Sequence, residues 1–199
     1  MGRKRLVVAT RNEHKLRELG EILTDVNLEP LPPGVELPPE DGDTFADNAL
    51  IKARAAQRGT RTAAIADDSG IEARALGGAP GVRSARFAGS SATDEENLDL
   101  LLRELEGAAD RSVAYVCVIA YVDGEGRERM FEGHCEGTLA REPRGEGGFG
   151  YDPAFVPADT GPADERTMAE LTPDEKHAIS HRGRAARALA RFLAREPDQ

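Results

Sequence analysis

The sequence has little cysteine, no tryptophan and no long apolar run. The two cysteines, Cys117 and Cys135, are too few for a disulfide framework and lack metal-ligand spacing, so we expect buried free thiols. No segment approaches the roughly 20 apolar residues needed to cross a bilayer, which excludes a transmembrane helix. The apolar run 6–9 is short and is predicted to form a first strand rather than a signal peptide. A cytoplasmic protein without membrane contact is expected.

Positive charge is also scarce. The 26 basic and 36 acidic residues give a net charge of −10, which argues against a nucleic-acid partner because such a surface needs a concentrated basic face. Only four of the basic residues are lysines: Lys4, Lys15, Lys52 and Lys176. A lysine kept in such an Arg-rich chain is expected where a compact point charge is required, with chance as the alternative. Lys4, near the terminus, is predicted to be a solvated charge.

The hydrophobic pattern predicts one α/β domain, residues 1–199, built on a mixed sheet. Apolar runs at 5–9 and 62–66 predict buried strands, and 112–122 and 127–139 predict a hairpin about Asp123-Gly124. Capping signals predict that helices begin after Asn12, Thr44, Thr93, Thr172 and Ser180.

The segment Thr10-Arg11-Asn12-Glu13-His14-Lys15 lies where a strand leads into a helix. The free N–H groups of a helix's first turn attract phosphate, and Asn12 and Lys15 share a helix face. A triphosphate cradle is one interpretation. By the segment alone, however, an ordinary capped helix with a solvated lysine is favoured.

Asp67 and Asp68 are predicted to stand at the carboxyl end of the 62–66 strand, where open α/β sheets place ligands. Because successive strand side chains face opposite ways, one of the two is expected to point into a cleft. A turn-capping role is the alternative. Glu40 and Asp68 could supply the one or two carboxylates that magnesium takes from a protein. Lys52 follows Asn48 by one helical turn and matters only if that face borders Asp68.

Two later segments carry candidate ligands for a base. The glycines of 147–153 let the backbone approach a ligand, and Phe149 and Tyr151 offer rings on which a base could stack. A turn holding two core aromatics is the equal alternative. His181 and Arg182 begin the last predicted helix with hydrogen-bonding side chains, although residues at such positions usually lie on the surface.

Taken together, these segments resemble the inosine triphosphate pyrophosphatase family, and the bacterial dITP/XTP pyrophosphatases in particular. The resemblance runs from Val7 to about Leu189. It rests on segments that occur in order with matching spacing: 9–15, 43–54, 66–70, 76–86, 147–153, 169–172 and 176–182. The loop 40–43 departs from the family's usual pattern, which leaves the choice between Glu40 and Asp41 open.

The resemblance implies an elongated mixed sheet with flanking helices, two lobes about a nucleotide-binding cleft, a homodimer and Mg²⁺ as cofactor. It implies that Asp68 activates water and meets the metal, with Glu40 as second ligand. Triphosphate would be bound by Thr10, Arg11, Asn12, Glu13, His14 and Lys15, with Lys52 neutralising its charge. Base and sugar would be bound by Ser69, Phe149, Gly150, Tyr151, Asp152, Lys176, His181 and Arg182.

The activity implied is hydrolysis of deaminated purine nucleoside triphosphates (ITP, dITP, XTP and dXTP) to the monophosphate and pyrophosphate. The alternative is a catalytically silent nucleotide-binding protein on the same scaffold. The complete set of Lys15, Glu40, Lys52 and Asp68 favours an enzyme, because a silent relative would be free to lose some of them.

Overall fold

A mixed six-stranded sheet is the framework of residues 3–195, the part of the chain that this computed structural model describes. Its order is β2-β1-β3-β4-β5-β6. β1 pairs in parallel with β2 and β3, whereas β5 and β6 are antiparallel. The predicted mixed sheet is therefore confirmed. The strands are β1 (Arg5–Val8), β2 (Asn27–Pro30), β3 (Ala64–Ala73), β4 (Ser112–Val122), β5 (Glu128–Leu139) and β6 (Phe155–Pro157).

The helices begin where the capping residues predicted. They are α1 (Glu13–Ile22), α2 (Phe45–Thr60), α3 (Asp94–Glu104), α4 (Pro173–Ile179) and α5 (His181–Leu193). Reciprocal capping boxes form at Thr93 with Glu96 and at Thr172 with Glu175. At α2 the Thr44 hydroxyl accepts from the Asp47 amide and itself donates to the Asp47 carboxylate, 2.7 Å away. Each such cap stabilises its helix by about 1 kcal/mol.

Three features of the sheet differ from the prediction. β2 and β6 are short strands that no hydrophobic pattern announced, and β3 does not end at Ala66. It continues through Asp67 and Asp68 to Ala73, so both carboxylates lie within a strand and not at its end. The run Asp-Asp-Ser-Gly resembles a turn. It stays extended here because ion pairs satisfy the buried carboxylates.

The chain forms two compact units, each with its own core. Unit 1 comprises the residues up to Asp68, Cys117–Gly133 and those from Arg182 onward. Unit 2 comprises Ser69–Val116 and His134–His181. The core of unit 1 includes Leu6, Val8, Leu19, Ile65, Cys117, Ile119 and Leu189. The core of unit 2 includes Ile71, Leu101, Leu105, Cys135, Leu139, Phe155 and Met168.

Both cysteines are buried and unoxidised, which confirms the prediction of free thiols. Burial raises the pKa of the Cys117 thiol to about 12, so the neutral form dominates at physiological pH. Of the helices in residues 3–195, none combines the length and the apolar character that a membrane span requires.

Candidate active site

The turn between β1 and α1 is fixed by its own polar side chains. The Thr10 hydroxyl accepts from the Asn12 amide, and the Asn12 side chain accepts from the Lys15 amide, both at 3.1 Å. Arg11 donates to the Val35 carbonyl, while Glu13 and His14 are exposed. Of this segment, Lys15 reaches furthest into unit 1: its Nζ lies 3.1 Å from Asp67 Oδ2.

Asp67 is the centre of a buried charge network in unit 1. Its Oδ2 accepts from Arg182 Nε at 3.2 Å as well as contacting Lys15. Arg182 Nη1 donates in turn to Glu18 Oε2 at 2.5 Å. Because Lys15 and Glu18 are three residues apart on α1, they share the face that meets this network. Sequence reasoning did not single out Glu18, although its spacing from Lys15 was a usable signal.

This network decides the ionisation of Asp67. Burial by itself would raise the pKa of the carboxyl, but Lys15, Arg182 and Lys52 outweigh it and hold the pKa well below its ordinary value. Burial likewise disfavours the Arg182 cation, yet Asp67 and Glu18 raise its pKa. At neutral pH Asp67 is therefore an anion stabilised by neighbouring cations, which makes it a poor proton acceptor.

Asp68 has different partners, as expected for the next side chain along a strand. Its Oδ2 accepts from Asn48 Nδ2 at 3.0 Å, and Lys52 Nζ lies 3.7 Å from its Oδ1. Lys52 also donates to the Asp67 carbonyl at 2.7 Å and to Glu40 Oε1. The face of α2 that carries Asn48 and Lys52 therefore borders Asp68. The sequence pattern made Lys52 a candidate site residue only on this condition.

Burial, reinforced by the charge of Glu40, raises the pKa of Asp68 despite Lys52 and Lys15. Lys52 keeps its proton: burial lowers its pKa, but Asp67, Asp68 and Glu40 more than restore it. The surroundings thus shift the pKa values of these two adjacent carboxyl groups in opposite directions, down for Asp67 and up for Asp68. A divergence of this kind separates a structural anion from a candidate base.

Glu40 and Asp68 are suited to share a divalent cation, because both carboxylates already contact the same ammonium group, that of Lys52. Asp41 is exposed, which favours Glu40 of the two loop acids. Within residues 3–195, no three His, Cys, Asp or Glu side chains are grouped as a metal site. Magnesium takes one or two carboxylates and completes its shell with water and phosphate, so a pair of carboxylates fits it.

A second polar group lies in unit 2, around the buried carboxylate of Asp152. Its Oδ2 accepts from Lys176 Nζ at 2.8 Å and from the Phe149 amide at 2.9 Å. The Lys176 ammonium also lies 5.2 Å from the centroid of the Phe149 ring, within cation–π range. Asp152 therefore orders both the aromatic loop and the lysine that the sequence predicted as ligands.

Two further hydrogen bonds hold the loop that contains Phe149. Gly150 donates its amide to Asp94 Oδ2 at 2.9 Å, and the Tyr151 hydroxyl donates to the Ser84 carbonyl at 2.7 Å. Gly148 has a φ of +74°, and a Cβ at that position would collide with the Asp152 carboxylate. Tyr151 is 5% exposed and serves as an anchor. Phe149, by contrast, is only half-buried.

The predicted nucleotide residues thus form two groups. Unit 1 holds the Thr10–Lys15 segment, Glu40, Lys52, Asp68 and Arg182, and unit 2 holds Ser69, Phe149, Gly150, Tyr151, Asp152, Lys176 and His181. Ser69 is half-buried on β3. His181 and Arg182 begin α5 as predicted, but they are 7% and 2% exposed. The usual surface role of residues at such positions therefore does not apply.

The four lysines differ in their surroundings, and the prediction for one of them is corrected. Lys15, Lys52 and Lys176 each pair with a buried aspartate, namely Asp67, Asp68 and Asp152 respectively. Lys4, however, is half-buried and donates to the Leu193 carbonyl at 2.8 Å. The prediction that it is only a solvated charge is wrong, because the end of α5 leaves carbonyls that a nearby ammonium can satisfy.

The fold and these two groups define an α/β protein with two clusters of buried charged residues, and comparison with known proteins gives its family. The Ham1 family model matches residues 6–192. A protein of Symbiobacterium thermophilum named dITP/XTP pyrophosphatase is 52% identical over 204 residues, covering 99% of this chain and 97% of that protein. The chain belongs to the Ham1 family.

Solved structures agree with this assignment. The HAM1 protein of Coxiella burnetii superposes with a TM-score of 0.86 at 44% identity, covering 97% of this chain and 100% of that one. The Ham1 protein of Staphylococcus aureus gives a TM-score of 0.84 at 38% identity, with 96% and 98% coverage. The α/β fold predicted from the sequence is that of these proteins.

Proposed function

We propose that this chain is a nucleoside triphosphate pyrophosphatase that hydrolyses ITP, dITP, XTP and dXTP to the monophosphate and pyrophosphate. Relatives that match this chain over nearly their whole length are named dITP/XTP pyrophosphatase, and this supports the activity. The observation that carries it is the divergence of Asp67 and Asp68: a fixed anion beside a carboxylate of raised pKa. That divergence favours an enzyme over a silent binding protein.

In this proposal Asp68 accepts a proton from the water that attacks one phosphoryl group while pyrophosphate leaves. Its raised pKa suits it to this step, because a carboxyl of ordinary pKa is a weaker base. Asn48, hydrogen-bonded to Asp68, fixes the orientation of the carboxylate. Lys15, Lys52 and the first-turn N–H groups of α1 neutralise and align the polyphosphate.

Glu40 and Asp68 would hold the divalent cation, for which we propose Mg²⁺. When bound, the cation supplies charge neutralisation at the phosphate oxygens. Lys52 contacts both carboxylates, so it keeps them close to each other before any ligand arrives. Thr10, Arg11, Asn12, Glu13 and His14 complete the proposed phosphate segment. Within it, the Thr10 and Asn12 hydrogen bonds hold the turn in shape.

The base and sugar are assigned to Ser69, Phe149, Gly150, Tyr151, Asp152, Lys176, His181 and Arg182. Inosine and xanthosine present a 6-oxo acceptor where adenosine presents an amino donor. A donor such as Arg182 would pair with the oxo group and be left unpaired by adenine, and such mispairing can discriminate by ~10⁴. Two N–H groups of Arg182 already donate to Asp67 and Glu18, which fixes the plane of its guanidinium.

The resemblance also supports a homodimer in the cytoplasm. Sedimentation equilibrium of the purified protein tests the dimer, and a monomer at micromolar concentration would contradict it. Fractionation of the native host tests the compartment.

A nucleotide panel assayed with inorganic pyrophosphatase as coupling enzyme tests the activity directly. ITP, dITP, XTP and dXTP are expected to release phosphate only when the coupling enzyme is present, and ATP and GTP much more slowly. Phosphate release from ITP without the coupling enzyme, with IDP as product, would overturn the assignment. Binding of ITP without any turnover in Mg²⁺ would instead establish the silent-protein alternative.

A further inference from the structure

Tyr115 was not singled out from the sequence, yet it contacts several residues of the proposed base group. It lies on β4, its side chain is buried at 6% exposure, and all its contacts described below lie within unit 2. In the sequence it is one apolar residue in the middle of a long strand. Nothing in that pattern distinguishes a core tyrosine from a functional one.

The Tyr115 ring is stacked against two others. Its centroid lies 4.3 Å from that of Phe155 with an interplanar angle of 24°, and 4.5 Å from that of His181 with an angle of 18°. Phe155 is a fully buried core residue. Tyr115 therefore packs between a core residue and the imidazole of His181 and restrains the orientation of that imidazole. This orientation decides where the ring nitrogens of His181 point.

The hydroxyl of the same residue acts on a second member of the group. It donates to Asp152 Oδ1 at 3.1 Å, while Oδ2 of that carboxylate accepts from Lys176 and from the Phe149 amide. The carboxylate of Asp152 is therefore held through both of its oxygens. The Tyr115 hydrogen bond fixes Oδ1, and the rotation of Asp152 in turn sets where the Lys176 ammonium and the Phe149 ring lie.

We propose that Tyr115 is a positioning residue that preorganises the purine-binding group, fixing His181 through its ring and Lys176 with Phe149 through its hydroxyl and Asp152. This inference rests on the proposed function, which assigns the base and sugar to residues that all lie in unit 2 except Arg182. It deepens that function by separating base affinity from the hydrolytic step, which belongs to Asp68 and the lysines of unit 1.

Tyr115→Phe is the most informative variant, because it keeps the aromatic ring and removes the hydroxyl that donates to Asp152. The loss of one buried hydrogen bond is expected to raise KM for ITP about tenfold, with kcat changed less than twofold. Tyr115→Leu also removes the rings and is expected to raise KM further. Tyr121→Phe is the matched control, since it makes the same change on the same strand in unit 1, where Tyr121 packs against Phe192.

Ligand affinity without turnover provides an independent readout. Calorimetric titration with IMP, which carries the base and sugar, is expected to show about tenfold weaker binding to Tyr115→Phe. Titration with inorganic tripolyphosphate, which carries neither, is expected to give the same affinity as the wild-type protein. The Tyr121→Phe control should match the wild-type protein with both ligands.

Several results would overturn the proposal. They are unchanged KM and IMP affinity in Tyr115→Phe, a fall in kcat at constant KM, or parallel losses of IMP and tripolyphosphate affinity with a lowered melting temperature. If Tyr115→Leu does not fold, Tyr115→Phe still decides the question. If the wild-type protein does not hydrolyse ITP, the proposed function itself is wrong. If the wild-type protein hydrolyses ITP but Tyr115→Phe behaves like it, only the inference about Tyr115 is wrong.

Discussion

The two units stabilise their buried polar groups in contrasting ways. In unit 1, two carboxylates on β3 meet three cations: Lys15, Lys52 and Arg182. In unit 2, the carboxylate of Asp152 accepts hydrogen bonds from one ammonium, one backbone amide and one tyrosine hydroxyl. Phosphate demands charge, whereas a purine demands flat surfaces and directed donors. Under the proposed function, this difference would assign phosphate binding to the charged group of unit 1 and most of the base and sugar contacts to the group of unit 2.

This comparison predicts that changes in unit 1 act on the rate constant kcat or on stability, and that changes in unit 2 act on KM. The largest effect is expected for Asp68→Asn, which removes the proposed base but keeps the Asn48 contact in similar shape. Turnover of ITP should fall by ~10² or more, with an unchanged circular dichroism spectrum. A variant that keeps most of its activity in excess Mg²⁺ would transfer the role to another carboxylate.

Asp67→Asn separates the structural anion from the catalytic one. It leaves Lys15 and Arg182 buried without their shared counter-charge, which is expected to cost about 3–5 kcal/mol in the free energy of unfolding measured with urea at pH 7. Because the folded-state pKa of Asp67 is lowered, its stabilisation is complete above the ordinary Asp pKa of about 3.9 and is lost as the pH falls through the lower folded-state value.

The difference in unfolding free energy between wild type and Asp67→Asn should therefore shrink as the pH falls below about 4. Equal stability of the two proteins at pH 7 would contradict the role of Asp67 as a network centre.

Lysine-to-arginine changes test whether compact charge matters. At Lys15 and Lys52 the planar guanidinium keeps the charge but displaces it, and a misplacement of about 1 Å can cost ~10²-fold in kcat/KM. At Lys176 the same change is expected to appear in KM rather than kcat. Lys4→Arg is the control, since arginine can also donate to the Leu193 carbonyl, and it should retain wild-type activity. Equal activity in all four variants would make the surviving lysines an accident of composition.

A smaller effect is expected from Gly148→Ala in unit 2. The residue has a positive φ, and its new methyl group would displace the Asp152 carboxylate, a strain of about 1–3 kcal/mol. KM for ITP should rise about tenfold while kcat holds. Gly124→Ala is the control, because a Cβ there meets open space at ordinary φ. A selective loss of kcat in Gly148→Ala would argue against the division of labour.

The smallest effect is expected when the folded protein is treated with thiol reagents. Each unit contains one cysteine, and both cysteines are buried. With Cys117 at a pKa of about 12 and both thiols buried, neither should react with Ellman's reagent at pH 8 in the folded protein. Both should react in denaturing urea. The variants Cys117→Ala and Cys135→Ala show which cysteine reacts. Rapid stoichiometric labelling of either cysteine in the folded protein would show that the core of its unit is accessible to solvent.

Sequence reasoning placed most of the elements because their signals are local. Capping residues such as Thr93 and Thr172 satisfy N–H groups within their own helix turn, so they announce a helix start without help from distant residues. β2 and β6 are only 4 and 3 residues long, too short for a periodic pattern. The extension of β3 past Asp67 could not be predicted because the cations that make it tolerable come from α1, α2 and α5.

For the candidate site, the sequence by itself determined which residue types were available: Lys15, Lys52, Asp67, Asp68 and the aromatic loop around Phe149. Only the tertiary structure decided which aspartate is held as an anion and which has a raised pKa, since that depends on charges up to 115 residues away. The roles of Glu18 and Tyr115 were likewise decided there. Each is an ordinary helix or strand residue until packing brings Arg182 or Asp152 within hydrogen-bonding distance.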